Sequence, residues 1–220
     1  MIELKGLSKT YAVSGKIIKA VQPLDLTIQQ GEFVSIVGHS GSGKSTFLSL
    51  IGGIARPDTG TVSIDGTNIW GYDDKRLSKL RNEKFGFVYQ FASLIPTLNA
   101  TENVLLPTVF GGRVKAADAA NLLDLVGLGD KKDRYPSELS GGEQQRVAIA
   151  RAFIHHPEII LADEPTGDLD EETESEIMNF FEKINREKKV TMIMVTHSSE
   201  IALRAPSRFR MKQGVIEQLN

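Results

Sequence analysis

The sequence predicts an α/β fold built around a mainly parallel sheet. Short runs rich in valine and isoleucine occur at residues 32–37, 61–64, 159–163 and 190–196. Helical stretches separate these runs, which is the pattern of strands joined by helical crossovers. Three of the runs are almost entirely apolar over several residues and do not alternate with polar ones. Such strands are buried on both faces, as in parallel sheets covered by helices.

The composition indicates a chain that can fold without disulfides or a structural metal. The chain has 220 residues, 40% of them hydrophobic, which is enough for a substantial core. It contains no cysteine, so disulfide and thiolate-metal chemistry is excluded, which is consistent with a cytosolic protein. The net charge is -2 with both signs interspersed, which disfavours nucleic acid as a partner. No apolar run approaches the roughly 20 residues that cross a bilayer, so we expect any membrane attachment to come from a partner.

Residues 91–138 are expected to form a helical insertion. This section holds three prolines and a helical stretch at 115–126, but no convincing strand. We therefore predict a single domain, residues 1–220. Its core would comprise residues 1–90 and 139–220.

A glycine-rich segment, GHSGSGKS at residues 38–45, follows the first apolar strand and precedes an apolar helix. This phosphate loop matches the pattern G-x-x-x-x-G-K-[ST] in the strand-loop-helix context that the pattern requires. Glycines let successive backbone N–H groups face phosphate oxygens, and the helix adds its positive end. Lys44 would reach the β- and γ-phosphates, and the Ser45 hydroxyl would ligate Mg²⁺. The alternative, a chance glycine turn, would not need the flanking strand and helix.

Two adjacent acidic residues end the predicted strand at 159–163. Asp163 stands where a P-loop protein needs a carboxylate for the water shell of Mg²⁺. Glu164, pointing the other way on an extended chain, could accept a proton from the attacking water. Active sites of open α/β sheets lie at this edge of the sheet. The alternatives are a strand-end turn former for Asp163 and solvated charge for the pair.

His197 ends the next apolar strand and therefore reaches the same sheet edge. An imidazole there could hydrogen-bond a γ-phosphate oxygen and help to orient the water. A lone histidine is more often structural than catalytic, so a structural role is the alternative.

The segment LSGGEQQR at residues 139–146, called the signature segment below, has no counterpart in kinases or small GTPases. Together with the phosphate loop, Gln90, the acidic pair, GDLD at 167–170 and His197, in that order, it resembles the nucleotide-binding subunits of ABC transporters. The resemblance covers essentially the full length. It implies a P-loop NTPase core, an N-terminal antiparallel β part, and a helical subdomain between Gln90 and the signature segment. It also implies that ATP and Mg²⁺ are bound and that ATP is hydrolysed.

The resemblance assigns roles to individual positions. Those that would hold the phosphates and the metal are Gly38, Ser40, Gly41, Gly43, Lys44, Ser45, Thr46 and Asp163. Gln90 would sense the metal and the water, Glu164 would be the general base, and His197 would contact the γ-phosphate. Tyr11 would stack on adenine, although it could also be a surface-anchored aromatic of a strand.

The resemblance further implies a second copy of the chain. The residues that cap the ATP of that copy would be Ser140, Gly141 and Gly142. The glycines would let the backbone approach the anion, and a helix at about 143–153 would offer a second positive end. Asp170 matches a loop that crosses the dimer interface, and it could also cap a helix that begins at 171. Asp168 and the THSS sequence at 196–199 depart from the family's usual residues, which affects fine tuning and not activity.

A finer resemblance lies in residues 50–54, 79–91 and 89–107. These are similar to the ATPases of lipoprotein-release, macrolide-export and cell-division permease complexes, which transmit closure of the ATPase pair to a membrane permease. The chain would therefore dock on permease subunits at the cytoplasmic face of the membrane, through a groove around residues 90–108.

The residues that could present an apolar docking surface are Phe91, Leu94, Ile95 and Leu98. They could equally be the core of the helical section. A competing class is the soluble ABC ATPase that acts on nucleic acid or the ribosome, but such proteins generally carry two modules or a long coiled coil. A small-molecule kinase is hard to reconcile with the signature segment.

Overall fold

The computed structural model describes residues 1–111, 116–167 and 169–219. Asp168 and residue 115, the expected start of a helix, lie outside the described residues. The strands are β1 (Ile2–Val13), β2 (Lys16–Ile28), β3 (Phe33–Val37), β4 (Thr59–Ile64), β5 (Thr67–Asn68), β6 (Phe85–Val88), β7 (Ile159–Asp163), β8 (Thr191–Thr196), β9 (Ser207–Lys212) and β10 (Val215–Gln218). The helices are α1 (Lys44–Ile51), α2 (Asp74–Lys84), α3 (Ala100–Leu105), α4 (Ala116–Leu125), α5 (Gly141–Phe153), α6 (Glu171–Lys188) and α7 (Ser199–Ala202).

Within the described residues, six strands form the central sheet, in the order β10-β9-β3-β8-β7-β6. Neighbouring strands run parallel except at the β9–β10 edge, which is antiparallel. Every residue of β3 and β8 is buried, as the nearly uninterrupted apolar sequence of these strands predicts. The expected mainly parallel sheet is confirmed.

The N-terminal strands form a second, antiparallel sheet in the order β2-β1-β4-β5. The base of its β1–β2 hairpin is buried, with Leu4 and Leu7 packing in one core with Phe47 of α1. The tip is exposed, and Ile17 there is 75% accessible. The predicted antiparallel β part is therefore confirmed.

The section 91–138 contains α3, α4 and two 3-10 turns, at Leu106–Phe110 and Pro136–Glu138, and no strand among its described residues. Its apolar side chains share a core with α5, α6 and one face of the central sheet. The domain boundaries at 90 and 139 stay a prediction. In the described ranges, no helix has the length and apolar character that spanning a membrane requires.

The two faces of the central sheet carry different helices. Along β7, Ile160 and Ala162 pack in the core that contains α5 and α6, whereas Ile159 and Leu161 pack in the core that contains α1. Because successive side chains of a strand point to opposite faces, α1 and α5 lie on opposite sides of the sheet.

Candidate active site

The phosphate loop joins β3 to α1 and packs between β2 and β9. Gly41 and Gly43 have φ values of 76° and 109°, in the region that favours glycine. A Cβ on Gly43 would lie 1.9 Å from the carbonyl oxygen of Ala20 in β2, and one on Gly38 would lie 2.3 Å from that of Met211 in β9. Side chains are therefore excluded at both positions, and the loop backbone packs directly against β2 and β9.

The start of α1 is suited to an anion. Gly43 occupies the N-cap position and provides no side-chain cap for the first N–H groups of the helix. Ser42 is 8% exposed, and its buried hydroxyl finds no hydrogen-bond partner among the described residues. Free N–H groups at a helix start and an unpaired buried hydroxyl are groups that a phosphate would satisfy. Sequence reasoning missed Ser42, because the loop pattern leaves that position open and its burial depends on the tertiary fold.

Lys44 folds its ammonium group back over the loop. Its Nζ donates hydrogen bonds to the carbonyl oxygens of Gly38, at 2.7 Å, and His39, at 3.3 Å. The same atom lies 3.4 Å from Oε1 of Glu164, and the residue is only 6% exposed. A buried cation held in this way is already positioned for an anion that enters the loop. The other predicted loop residues, Ser40 and Thr46, are exposed and half-buried respectively.

Asp163 ends β7 next to the start of α1. Burial raises the pKa of the Asp163 carboxyl above its ordinary value, and the negative charge of Glu164 raises it further. A hydrogen bond with Ser45 and the positive charge of Lys44 lower the pKa in part. The carboxylate and the hydroxyl are thus in contact, and both are oxygen donors that a hard cation prefers. A divalent cation would offset the cost of burying this carboxylate, so the residues fit the predicted Mg²⁺.

Glu164 does not continue the strand. Its φ is 49°, so the expectation that it points the other way on an extended chain is wrong. The turn is held in place because the N–H of Glu164 donates to the carbonyl oxygen of Val195, at 2.9 Å. Its carboxylate oxygen Oε2 accepts a hydrogen bond from the N–H of His197, at 3.0 Å, and lies 2.8 Å from the Nδ1 of that residue. A non-glycine residue in this conformation is strained, and such strain concentrates at functional sites.

The carboxylate of Glu164 therefore bridges Lys44 and His197. Its side chain is 13% exposed, whereas the imidazole of His197 is 59% exposed. The cluster is shielded on the lysine side and open to solvent on the histidine side. The structure brings the predicted carboxylates, lysine and histidine together at the carboxyl edge of the sheet; their individual roles stay predictions.

Gln90 lies directly after Tyr89, at the end of β6. The side-chain nitrogen Nε2 of Gln90 lies 3.7 Å from the position that a Cβ on Gly167 would occupy. Gln90 therefore stands beside the turn that follows β7. The buried amide of Gln145 in α5 donates to the carbonyl oxygens of Tyr89, at 2.8 Å, and Pro165, at 3.0 Å. One side chain of the signature segment thus ties α5 to both backbone segments of the site.

Gln145 is a second residue that sequence reasoning missed. It is 2% exposed and lies four residues before the buried Ile149. This spacing puts both side chains on the inward face of the helix, which was a usable signal.

Tyr11 stands in the exposed part of the β1–β2 hairpin, where it pairs with Ile18 and is 38% exposed. Ala20, two residues further along β2, contacts Gly43 in the phosphate loop. Nζ of Lys9 lies 5.4 Å from the centre of the ring. Tyr11 thus pairs with a residue two positions from the one that contacts the loop, which is compatible with both predicted roles.

The signature segment begins α5. The Oγ of Ser140 accepts a hydrogen bond from the N–H of Glu143, at 3.3 Å, and the Glu143 carboxylate accepts one from the N–H of Ser140, at 2.8 Å. This is a reciprocal capping box. The helix begins at Gly141 and not near 143 as predicted, so both glycines lie in its first turn.

Asp170 caps α6, as one of its two predicted roles requires. Its carboxylate accepts hydrogen bonds from the N–H of Thr173, at 2.9 Å, and from the Thr173 hydroxyl, at 2.8 Å. These bonds hold the pKa of the Asp170 carboxyl below its ordinary value. The interface role of Asp170 stays a prediction.

Comparison with known proteins gives concordant matches. A family model described as ABC transporter matches residues 21–167. The chain is 42% identical over 219 residues to the lipoprotein-releasing system ATP-binding protein LolD of Syntrophus aciditrophicus, and the match covers 98% of each chain. It is 41% identical over 223 residues to the macrolide export ATP-binding/permease protein MacB of Rhodopirellula baltica, covering 99% of this chain and 33% of that protein.

A solved structure has the same fold. It is the dimeric structure of a post-hydrolysis state of the ATP-binding cassette MJ0796, from Methanocaldococcus jannaschii, bound to ADP and Pi. The TM-score is 0.92 and the sequence identity 42%, and the match covers 100% of this chain and 99% of the other.

Proposed function

Because the chain belongs to the ABC transporter family and is an ATP-hydrolysing member of it, we propose that it drives conformational change in a separate membrane permease. The relative MacB is named for both ATP binding and permease, and this chain matches a third of it. The relative LolD, matched end to end, is named as the ATP-binding protein of a lipoprotein-releasing system. Both names support a role in a transport system, and we propose that the chain works at the cytoplasmic face of the membrane with the permease supplied by partner subunits. No observation favours the nucleic-acid alternative.

We further propose that the active unit is a pair of chains that close around two ATP molecules. The observation that carries this proposal is that α1, which follows the phosphate loop, and α5, which begins in the signature segment, pack on opposite faces of the central sheet. In a head-to-tail pair, the signature segment of each copy would face the phosphate loop of the other. The dimeric state of the cassette MJ0796 supports this arrangement.

Each residue of the cluster would then act at a defined step. Lys44 would leave Glu164 and bind β- and γ-phosphate oxygens. The carboxylate of Glu164 would accept a proton from the water whose oxygen forms the new bond to the γ-phosphorus, while the bond to the leaving oxygen of ADP breaks. His197 would donate a hydrogen bond to a γ-phosphate oxygen and hold Glu164 in its turn.

The metal would be held by oxygen donors. Ser45 would ligate Mg²⁺ directly, Asp163 would hold it through water, and Gln90 would complete the set from the neighbouring strand. When bound, the ion would neutralise charge on the β- and γ-phosphates.

The composite site is tested at Ser140. Ser140→Asp keeps a good N-cap but brings a negative charge to the partner's ATP, so we expect the steady-state ATPase rate to fall roughly tenfold to 100-fold. ATP binding to the dilute monomer should stay unchanged. Ser140→Asn, a neutral cap, is the matched control and should stay within severalfold of wild type. Full activity of Ser140→Asp would contradict a role of this segment at the nucleotide.

We propose that a groove between α2, β6, α5 and the 106–111 segment receives the permease. Its apolar lining comes mainly from Ile54, Phe85, Phe87, Tyr89, Leu106 and Pro107. Basic side chains border it, at Lys75, Lys79, Arg81 and Arg151. The groove overlaps the predicted range 90–108 only in part, because α2 and α5 supply much of its lining.

The four candidate docking residues have different surroundings. Phe91 is 70% exposed and Ile95 is 40% exposed, whereas Leu94 packs against the core of the helical section. Leu98 is half-buried. Phe91 and Ile95 are therefore available to a partner, whereas the partly buried Leu94 favours the core alternative.

Phe91→Glu is expected to leave the basal ATPase rate and the melting temperature near wild type, and to abolish stimulation of the ATPase by the reconstituted permease. Phe91→Leu is the matched control and should keep coupling. Leu94→Ala should instead lower the free energy of unfolding by about 2 kcal/mol, because it removes packed methyl groups. Normal coupling of Phe91→Glu would exclude Phe91 from the docking surface.

A further inference from the structure

The two glycines of the signature segment have different surroundings. A Cβ on Gly142 would lie 2.8 Å from Cγ2 and 3.3 Å from Oγ1 of Thr173 in α6 of the same chain. Ordinary carbon contacts lie at about 3.5–4.0 Å, so this position has no room for a methyl group. A Cβ on Gly141 would meet no described atom within 4 Å. Neither glycine has a positive φ, so space, not backbone conformation, distinguishes them.

Thr173 cannot easily turn away from Gly142. Its hydroxyl donates to Oδ2 of Asp170, at 2.8 Å, and its N–H donates to Oδ1, at 2.9 Å. Rotation about χ1 that moved Cγ2 would also move Oγ1 and break the hydroxyl bond to the cap, and β-branched side chains have few alternative rotamers. The methyl group that faces Gly142 is therefore fixed by the cap of α6.

The contact continues along the two helices. One turn after Gly142, Arg146 forms an ion pair with Glu176, one turn after Thr173. Further along, Ile149 and Ile177 pack in the same core. The helices are thus in contact over about one turn of each, and the Gly142–Thr173 contact is the one nearer to their capped ends.

We propose that Thr173 is a positioning residue whose contact with Gly142 sets the register between α5 and α6, so that Ser140 and Asp170, their two caps, form one rigid unit. The inference rests on the proposed function in one respect, namely that this unit faces a second copy. Gly142 is then small because of a contact within its own chain, whereas no described atom sets such a limit at Gly141.

The test combines Gly142→Ala with Thr173→Ser, which deletes Cγ2 but keeps the hydroxyl that bonds Asp170. Gly142→Ala should lower the melting temperature, although alanine is the better helix former. In a Glu164→Gln background, it should weaken ATP-dependent dimerisation roughly tenfold by light scattering. The double variant should recover most of both properties. Gly141→Ala is the matched control and should keep the melting temperature. If Gly141→Ala weakens dimerisation, adding Thr173→Ser should not restore it.

Two results would overturn the inference: a Gly142→Ala variant as stable and as dimerisation-competent as its parent, or a double variant that recovers neither property. If Gly142→Ala is insoluble, recovery of folded protein by Thr173→Ser supports the contact and continued insolubility opposes it. If the Glu164→Gln parent forms no ATP dimer while the stability cycle behaves as expected, the α5–α6 contact holds and the proposed dimer fails.

Discussion

Glu164→Gln is expected to lower the ATP hydrolysis rate roughly 100- to 10,000-fold, the range attributed to a positioned general base, and to trap a dimer that retains ATP. The amide has the shape of the carboxylate and its oxygen can still accept the hydrogen bond from the N–H of His197. It cannot take the proton of the attacking water. The substitution also removes the negative charge that lies 3.4 Å from Nζ of Lys44, so the ammonium group of Lys44 is free to bind phosphate.

Single-turnover hydrolysis of radiolabelled ATP and light scattering with ATP and Mg²⁺ measure the two parts of this prediction. Glu187→Gln makes the same change at an exposed position of α6 and should behave as wild type. A Glu164→Gln variant that stays monomeric with ATP and hydrolyses it at the wild-type rate would refute the assigned role.

The elements that sequence predicted best are those whose patterns arise from burial. The strands β3, β7 and β8 are readable because both of their faces are covered, so their sequences are nearly continuous apolar runs. The phosphate loop is readable because its glycines answer local requirements of φ and close approach. In both cases the sequence signal lies within a short segment, although the close approaches at Gly38 and Gly43 are to Met211 and Ala20, which are distant in the chain.

The features that sequence did not reveal depend on residues far apart in the chain. Glu164 leaves the extended conformation because Val195 and His197 bind its N–H and its carboxylate from the neighbouring strand. Gly142 must be small because Thr173 lies against it. No local pattern encodes such pairs, since each partner alone is an ordinary residue for its position. Motif spacing therefore located the site, whereas its orientation and internal contacts required the fold.

Lys44→Ala is expected to weaken ATP binding roughly 100-fold, since two charge-assisted contacts to phosphate are lost. It should also destabilise the nucleotide-free protein. The carbonyl oxygens of Gly38 and His39 lose their donor, and the poorly exposed Glu164 loses a neighbouring cation. Leaving buried polar groups unpaired costs about 1–3 kcal/mol each.

The double variant Lys44→Ala with Glu164→Gln separates these two effects. The glutamine removes the uncompensated charge, so part of the lost free energy of unfolding should return. ATP affinity, measured by titration calorimetry, should stay low, because no group replaces the ammonium donor at the phosphates. If Glu164→Gln instead restored ATP affinity to the Lys44→Ala variant, the lysine would act mainly by neutralising Glu164. The direct contact between Lys44 and the phosphates would then have to be abandoned.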